Sequence, residues 1–182
     1  MKKYFLASIV LLALLFLGTI AVYSGLPLDV ASHWNAKGVA DSSSQKVIIF
    51  LVPVLAVGLF VLFQILPKID PFKKNYRKFS GAYEQFVFVV LLLTAYMQVF
   101  TVSWNFGFQF SVGAAMAVAI SALMYFVGNL VEKSERNWFI GFRTPWTIAS
   151  DENWRKTNRL GGKLYKIGAL ACLLGLFAVD YA

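Results

Sequence analysis

The polar stretch from residue 137 to residue 163 is the one long segment whose residue types could bind a partner or do chemistry. It reads Asn-Trp-Phe-Ile-Gly-Phe-Arg-Thr-Pro-Trp-Thr-Ile-Ala-Ser-Asp-Glu-Asn-Trp-Arg-Lys-Thr-Asn-Arg-Leu-Gly-Gly-Lys, between two apolar runs. We find no nucleophile with a base beside it, no phosphate-binding loop and no pair of intramembrane carboxylates. An ion pair of Arg143 with Asp151 or Glu152 would be ordinary, since acids are common where a helix begins. The stretch therefore indicates binding, and we expect no enzyme and no cofactor.

A second candidate segment, residues 24–46, contains the single histidine, His33. Asp29 and Asp41 lie near it, but a metal site there would lack a second strong nitrogen ligand, so we expect no metal. We interpret His33 and Trp34 as an interfacial anchor or a contact for an external ligand. Turn-forming residues predict an ordered loop or short strand here, not a helix. We include Pro27, Asn35 and Gly38 in the same predicted contact.

The elements that position both segments must cross a membrane, because 59% of the residues are hydrophobic and only 14% are charged. Five apolar segments are long enough to be considered as spans: Tyr4–Tyr23, Val47–Leu66, Tyr83–Ser103, Phe110–Val131 and Leu164–Val179. The first is longer than the apolar core of a signal peptide and has no convincing cleavage site, which favours a helix over a cleaved signal. The sequence predicts an all-α integral membrane protein, a polytopic helix bundle.

This bundle forms a single predicted membrane domain, residues 1–182. Its parts are an N-terminal hairpin of helices at 4–66 with its loop at 24–46, spans three and four at 83–131, the polar loop at 132–163 and span five at 164–182. Of the 17 lysine and arginine residues, only Lys37 and Lys46 fall in the loop 24–46. Basic residues concentrate on the cytoplasmic side, so we expect the N-terminus and the loops 67–82 and 132–163 to be cytoplasmic.

The concentration of basic residues on the cytoplasmic side also explains the net charge of +8. This charge predicts attraction of the basic loops to anionic lipid headgroups. A nucleic-acid-binding protein is the alternative that such a charge raises. Nothing in the sequence is suited to reading bases, so we expect no direct contact with nucleic acid.

Polar residues in spans three and four predict how the helices pack. In span three they recur near helical spacing and share one face: Glu84, Thr94, Gln98 and Thr101. Because lipid cannot satisfy these groups, the face should point into the bundle, where it bonds to other helices or lines a transport path. We prefer hydrogen bonding, with Glu84 paired to a basic loop residue. In span four, Gly113, Ala117 and Ser121 predict a close helix contact.

Within the polar stretch, Thr144-Pro145 interrupts any helix and predicts a corner. Ser150, followed by two acids, is a good helix start, and the helix is expected to run from Asp151 toward Leu160. It carries Arg155, Arg159 and Lys163 on one face. The pattern is typical of a short amphipathic helix on the inner membrane surface.

The segment Ile140-Gly141-Phe142-Arg143-Thr144-Pro145-Trp146-Thr147, followed by Trp154 and Asn158-Arg159, resembles the signature of SdpI-type membrane proteins. Leu26-Pro27, His33-Trp34-Asn35, Gly38 and Lys46, with Pro53 in the next apolar run, are similar to the N-terminal domain of unknown function in that family. Family members usually have six spans, one more than this sequence predicts.

The resemblance implies a plasma-membrane immunity protein that protects a cell against a secreted toxic peptide, and that in its best-known member also holds a winged-helix repressor at the membrane. It implies partner or structural roles for a set of signature residues: Asn137, Gly141, Arg143, Thr144, Pro145, Trp146, Thr147, Trp154, Asn158 and Arg159. Two other classes stay open. A small channel or transporter would lose flux in a Gln98→Leu variant, and an intramembrane enzyme acting on lipid headgroups would depend on Arg143 and Arg159. The toxin and the oligomeric state are not identified by the sequence.

Overall fold

The computed structural model describes residues 2–178. Its elements, in chain order, are α1 (Lys2–Tyr23), β1 (Asp29–Trp34), β2 (Ala40–Gln45), a 3-10 helix (Lys46–Phe50), α2 (Leu51–Ile69), a 3-10 turn (Lys73–Asn75), α3 (Tyr76–Asn105), α4 (Val112–Lys133), α5 (Pro145–Ala149) and α6 (Asp151–Ala178). The long helices form a bundle with two ends. The hairpin end carries β1 and β2, and the basic end carries the loops around residues 67–82 and 132–163.

Four helical segments are long and apolar enough to cross a membrane: Lys3–Tyr23, Lys46–Ile69, Lys73–Asn105 and Val112–Lys133. They contain the first three predicted spans and all of the fourth except Phe110 and Ser111, which precede α4. The predicted fifth span lies in the apolar half of α6, whose described part ends at Ala178. The rest of that segment, residues 179–182, lies outside the described residues, and the count of five spans stays a prediction.

Helix α1 shows how such a helix divides its surface between protein and lipid. Ser8, Leu12, Leu15 and Thr19 are buried and fall on one face at helical spacing. Most of the other large apolar side chains of α1 are exposed, among them Leu6, Leu14 and Leu17, as expected of a helix that meets acyl chains. The main core lies between α1, α2 and α3.

Helix α2 contains Pro53 in its first turn and Pro67 near its end, and a proline nitrogen cannot donate to the carbonyl four residues before it. The carbonyl four residues before Pro53 belongs to Ile49, and it accepts a hydrogen bond from Gln98 Nε2 at 3.0 Å. The carbonyl four residues before Pro67 belongs to Phe63, and it accepts from the Tyr83 hydroxyl at 2.7 Å. Both donors lie on α3, so α3 satisfies the polar groups that the prolines expose.

Helices α4 and α6 share the most extensive helix contact of the described residues. It is closest where Gly128 faces Gly162, since a Cβ atom built on Gly162 would lie 2.5 Å from the Gly128 carbonyl oxygen. Lys166 and Glu132 form an ion pair beside this point. Ser121 is buried and Cys172 Sγ approaches the Ala117 carbonyl, so part of the predicted small-residue stripe does face α6.

The predicted end of the amphipathic helix at Leu160 is wrong. Helix α6 continues without a break through Gly161 and Gly162 to Ala178. Glycine lowers helix propensity, but here the absence of a side chain lets α4 and the Phe142 ring approach α6 closely, and that packing outweighs the propensity cost. The polar helix and the predicted fifth span are therefore one rod of 28 residues.

Candidate functional site

The loop between α4 and α5, which carries the first part of the signature, is folded around Asn137. This side chain is fully buried. Its Oδ1 accepts hydrogen bonds from the backbone N–H groups of Phe139 and Ile140, and its Nδ2 donates to the carbonyls of Glu135 and Ile140. All four hydrogen-bonding positions of the amide are used, so Asn137 defines the shape of the loop.

A second buried amide, Asn158 of α6, holds the same loop onto the helix. Its Oδ1 accepts from the backbone N–H of Phe142 at 2.7 Å, and its Nδ2 donates to the Trp154 carbonyl at 3.1 Å. Gly141 has a positive φ of 97°, and a Cβ atom there would lie 2.3 Å from Asn158 Oδ1. Glycine is therefore required at residue 141 by both its backbone conformation and its neighbour.

Trp154, one helical turn before Asn158, also attaches the loop to α6. It is fully buried, and its indole N–H donates to the Ser134 carbonyl at 2.9 Å. Buried tryptophan needs such a partner, because an unpaired indole N–H in the interior is costly. Ser134 in turn ends α4, and its hydroxyl donates to the Val131 carbonyl. The end of α4 is thus joined directly to α6.

The corner predicted at Thr144-Pro145 is confirmed, and it begins the short helix α5. Thr144 and Thr147 form a reciprocal cap in which each side chain binds the other residue's backbone N–H, with Pro145 at the first helical position. Buried Thr147 also donates to the Phe142 carbonyl at 2.8 Å. The predicted start of α6 is confirmed as well, since Ser150 Oγ accepts from the Asn153 N–H.

The remaining signature residues are exposed. They are Arg143, Pro145, Trp146 and Arg159. The Arg143 guanidinium donates to the Trp138 carbonyl, and the rings of Trp146 and Trp138 are 62% and 48% exposed. The signature therefore separates into a buried set that folds the loop and an exposed set of cations and tryptophans that can contact lipid headgroups or a partner. Nearby, Lys156 donates to Glu152, and this hydrogen bond holds the pKa of the Glu152 carboxyl below its ordinary value.

Asp70 was not singled out from the sequence, yet it connects the two loops of the basic end. Its carboxylate is 2% exposed and accepts from the backbone N–H groups of Phe72 and Trp138 and from the Tyr76 hydroxyl. An aspartate directly before Pro71 does indicate a turn whose side chain bonds the chain two residues on. Nothing local indicates its second partner, Trp138.

Arg136 was not singled out from the sequence either, because nothing local indicates its partners. Its guanidinium pairs with Asp151 at 3.0 Å, donates to the Ile148 carbonyl and lies over the Phe72 ring. Beside it is a cleft of about 380 Å³ at the basic end. Its charged lining consists of five cations and two acids: Lys73, Lys74, Lys78, Arg136, Arg155, Glu135 and Asp151. The cleft is therefore suited to an acidic group.

At the other end of the bundle, residues 24–46 contain the antiparallel strands β1 and β2, where the sequence predicted an ordered loop or short strand. Asn35 Oδ1 accepts from the N–H groups of Lys37 and Val39, and Gly38 has a positive φ of 75°. Pro27 is exposed. His33 Nδ1 lies 2.6 Å from Asp41 Oδ1, and both side chains are largely exposed.

The hairpin is fixed to the bundle by Asn105 and Trp34. The Asn105 side-chain amide accepts from the Ala31 N–H at 2.7 Å and donates to the Ala31 carbonyl at 3.1 Å, as a neighbouring strand would. The Trp34 ring is half-buried and packs edge-on against Phe100 and Trp104. No group of three or more metal-binding side chains occurs in the part of the chain that the structure describes.

The polar residues of span three have separate environments. Gln98 is buried and its Nε2 donates to Thr19 Oγ1 and to the Ile49 carbonyl, so it links three segments. Thr94 and Thr101 donate instead to carbonyls of their own helix. Glu84 is half-buried in the wall of a cavity at the basic end.

The fold and these two ends define a multi-pass helical membrane protein with a hairpin at one end and an amide-locked polar loop at the other. Family models match both ends: the SdpI/YfhL protein family at residues 133–181 and a domain of unknown function, DUF1648, at residues 9–57. Immunity protein SdpI of Bacillus subtilis (strain 168) is 27% identical over 182 residues, which is 100% of this chain and 85% of that protein. By these matches the chain resembles the SdpI family. No solved structure matches it.

Proposed function

We propose that this chain is a non-enzymatic immunity protein of the plasma membrane, which protects the cell that makes it against a secreted toxic peptide. The observation that carries the proposal is the similarity to Immunity protein SdpI over the whole chain. The two family matches include the hairpin and the locked loop, which are the two most elaborated polar structures among the described residues.

We place the contact with the peptide on the hairpin. Of the five residues predicted for this contact, Pro27 and His33 are exposed. The other three, Trp34, Asn35 and Gly38, shape the hairpin and hold it to the bundle. The outer edge of β2 has no strand beside it among the described residues, because the sheet has only two strands. Extended peptides bind such edges by adding a strand. Because Asn105 occupies the other edge at Ala31, β2 is the favoured side.

The orientation belongs to the same proposal: the hairpin outside, and the N-terminus and the loops 67–82 and 132–163 in the cytoplasm. Its support is the charge distribution. Replacing the one cysteine by Cys172→Ser allows a single new cysteine at Ser43 or at Asn153, both exposed. An impermeant maleimide should label the Ser43→Cys variant in intact cells and the Asn153→Cys variant only after permeabilisation. The reverse pattern would overturn the orientation.

The exposed signature residues and the basic cleft are proposed to contact lipid headgroups and, as the family resemblance suggests, a winged-helix repressor through an acidic surface. Five cations line the cleft against two acids, which supports an acidic partner. A Lys74→Glu, Lys78→Glu variant should release the repressor from membranes in a sedimentation assay. A Lys133→Glu, Lys163→Glu variant changes the same charge on exposed side chains outside the cleft and should not.

The central test is survival of a sensitive cell that expresses this chain and is challenged with the cognate peptide, whose candidate comes from a neighbouring reading frame. We compare the unaltered chain with His33→Ala on the hairpin and with an Arg143→Ala, Trp146→Ala variant at the basic end. Lys37→Ala and Lys163→Ala are the matched controls, because both side chains are exposed. Membrane abundance is measured for every variant.

Protection by the unaltered chain, reduced in His33→Ala and retained in Lys37→Ala, is the expected result. If protection is absent at full membrane abundance, the immunity role is wrong for this chain. If protection survives the loss of both Arg143 and Trp146, these two side chains have no part in it.

A further inference from the structure

A cavity of about 640 Å³ opens between α1, α2 and α3 at the basic end. Its volume lies in the range of about 300–1,000 Å³ that is usual for small-molecule sites. Three phenylalanine side chains from α1 and α2 line it: Phe5, Phe60 and Phe63. The rings of Phe5 and Phe60 are 5.6 Å apart, and those of Phe63 and Tyr83 are 6.4 Å apart.

The mouth of this cavity is basic. Lys68 lies at the end of α2, Lys73 in the turn that follows and Arg77 in the first turn of α3, and Glu84 is the one acidic residue of the lining. At this end of the bundle, the ion pairs between described residues are those of Arg136, Lys156 and Lys166. None of them takes up a cation of the mouth.

The walls of the cavity come from the ends of three helices, and all three are candidate membrane spans. Leu6 and Ile65, each next in sequence to a lining residue, are exposed apolar side chains. Away from the mouth the mostly apolar lining would give a desolvated inorganic anion no partner. A cationic rim next to an apolar interior matches an amphiphile whose head is anionic.

We propose that this cavity binds one membrane-resident anionic phospholipid. The phosphate lies among Lys68, Lys73 and Arg77, and part of one acyl chain lies against the Phe60 and Phe63 rings. The Ser80 hydroxyl in the lining now makes a long bond of 3.4 Å to the Arg77 carbonyl, and it can donate to an ester or phosphate oxygen instead. The lipid would fill the space between α1 and α2 and so stabilise the position of α1.

Native mass spectrometry of the full chain, released from neutral detergent with added phosphatidylglycerol or phosphatidylcholine, tests the site. We expect retention of one phosphatidylglycerol over phosphatidylcholine by about tenfold, since each cation near a phosphate contributes substantially to anionic lipid binding. A Lys68→Gln, Lys73→Gln, Arg77→Gln variant should lose that preference. A Lys133→Gln, Lys156→Gln, Lys163→Gln variant removes the same charge elsewhere and should keep it.

A second variant, Ser80→Trp, keeps every charge and fills the cavity, so it should also lose the lipid. Equal retention of the two lipids, or a triple variant at the mouth that behaves like its control, would overturn the proposal. So would displacement of the lipid by millimolar inorganic phosphate, because that result would identify a simple anion site.

Discussion

The pairing of Gln98 with Pro53 predicts a specific coupling between two helices. Gln98→Leu keeps nearly the same volume but removes two hydrogen bonds, to Thr19 Oγ1 and to the Ile49 carbonyl, each 3.0 Å long. Interhelical hydrogen bonds in membranes contribute about 0.6 kcal/mol on average and about 1.7 kcal/mol at most. The variant should therefore lower the free energy of unfolding by about 1–3 kcal/mol.

The cause of the Ile49 bond is testable through Pro53→Ala. Alanine at residue 53 restores an N–H that can bond the Ile49 carbonyl within the helix. In that background Gln98→Leu leaves no carbonyl unpaired, so its cost should fall by about 0.6–1.7 kcal/mol. The control is Thr94→Val, because the Thr94 hydroxyl bonds only to its own helix, at the Leu91 carbonyl.

The assay is reversible unfolding in mixed micelles with a rising fraction of sodium dodecyl sulfate, followed by tryptophan fluorescence. Four proteins complete the double-mutant cycle. If Gln98→Leu costs the same with proline or alanine at residue 53, then the proline does not create the need for the glutamine and the reasoning is refuted.

Three further predictions concern the two ends and the α4–α6 contact. Gly162→Ala should lower the free energy of unfolding by about 1–3 kcal/mol, because its Cβ would lie 2.5 Å from the Gly128 carbonyl oxygen. The control in the same helix is Gly175→Ala, whose Cβ would have nothing within 4 Å. Equal melting of the two variants would contradict the close contact. Asp70→Asn puts an amide donor where three donors converge, and should lower the free energy of unfolding by about 1–3 kcal/mol. We expect faster proteolysis of residues 134–144. Unchanged cleavage would show that Asp70 does not hold the loop. Asn105→Ala should speed hydrogen exchange at the Ala31 N–H about fivefold or more, since it removes one hydrogen bond of about 1 kcal/mol. An unchanged exchange rate would mean that the hairpin holds its place without the Asn105 side chain.

The elements that follow from local pattern were predictable. Continuous apolar runs mark the first four spans, the dipeptide Thr144-Pro145 marks the corner, and Ser150 before two acids marks the start of α6. Each of these depends on residues next to one another in the chain. The turn at Asn35 to Gly38 belongs to the same group, because its hydrogen bonds are local.

What could not be predicted depends on partners distant in sequence. The helix that begins at Asp151 was predicted to run only toward Leu160, yet it continues through Gly161 and Gly162, because α4 and Phe142 fill the space beside them. No sequence motif joins Asp70 to Trp138 or Asn105 to Ala31, and only the folded chain brings these pairs together. The signature segment was found from its sequence, but burial alone separates its structural members from its exposed ones.

The unbroken course of α6 has a mechanical consequence. A helix of 28 residues is about 42 Å long, and it carries the signature residues Trp154 and Asn158 near one end and an apolar surface at the other. The near-contact of Gly128 and Gly162 lies between the two. Because the helix has no break, we expect a tilt of its apolar part to be transmitted to the locked loop, which is attached near its other end.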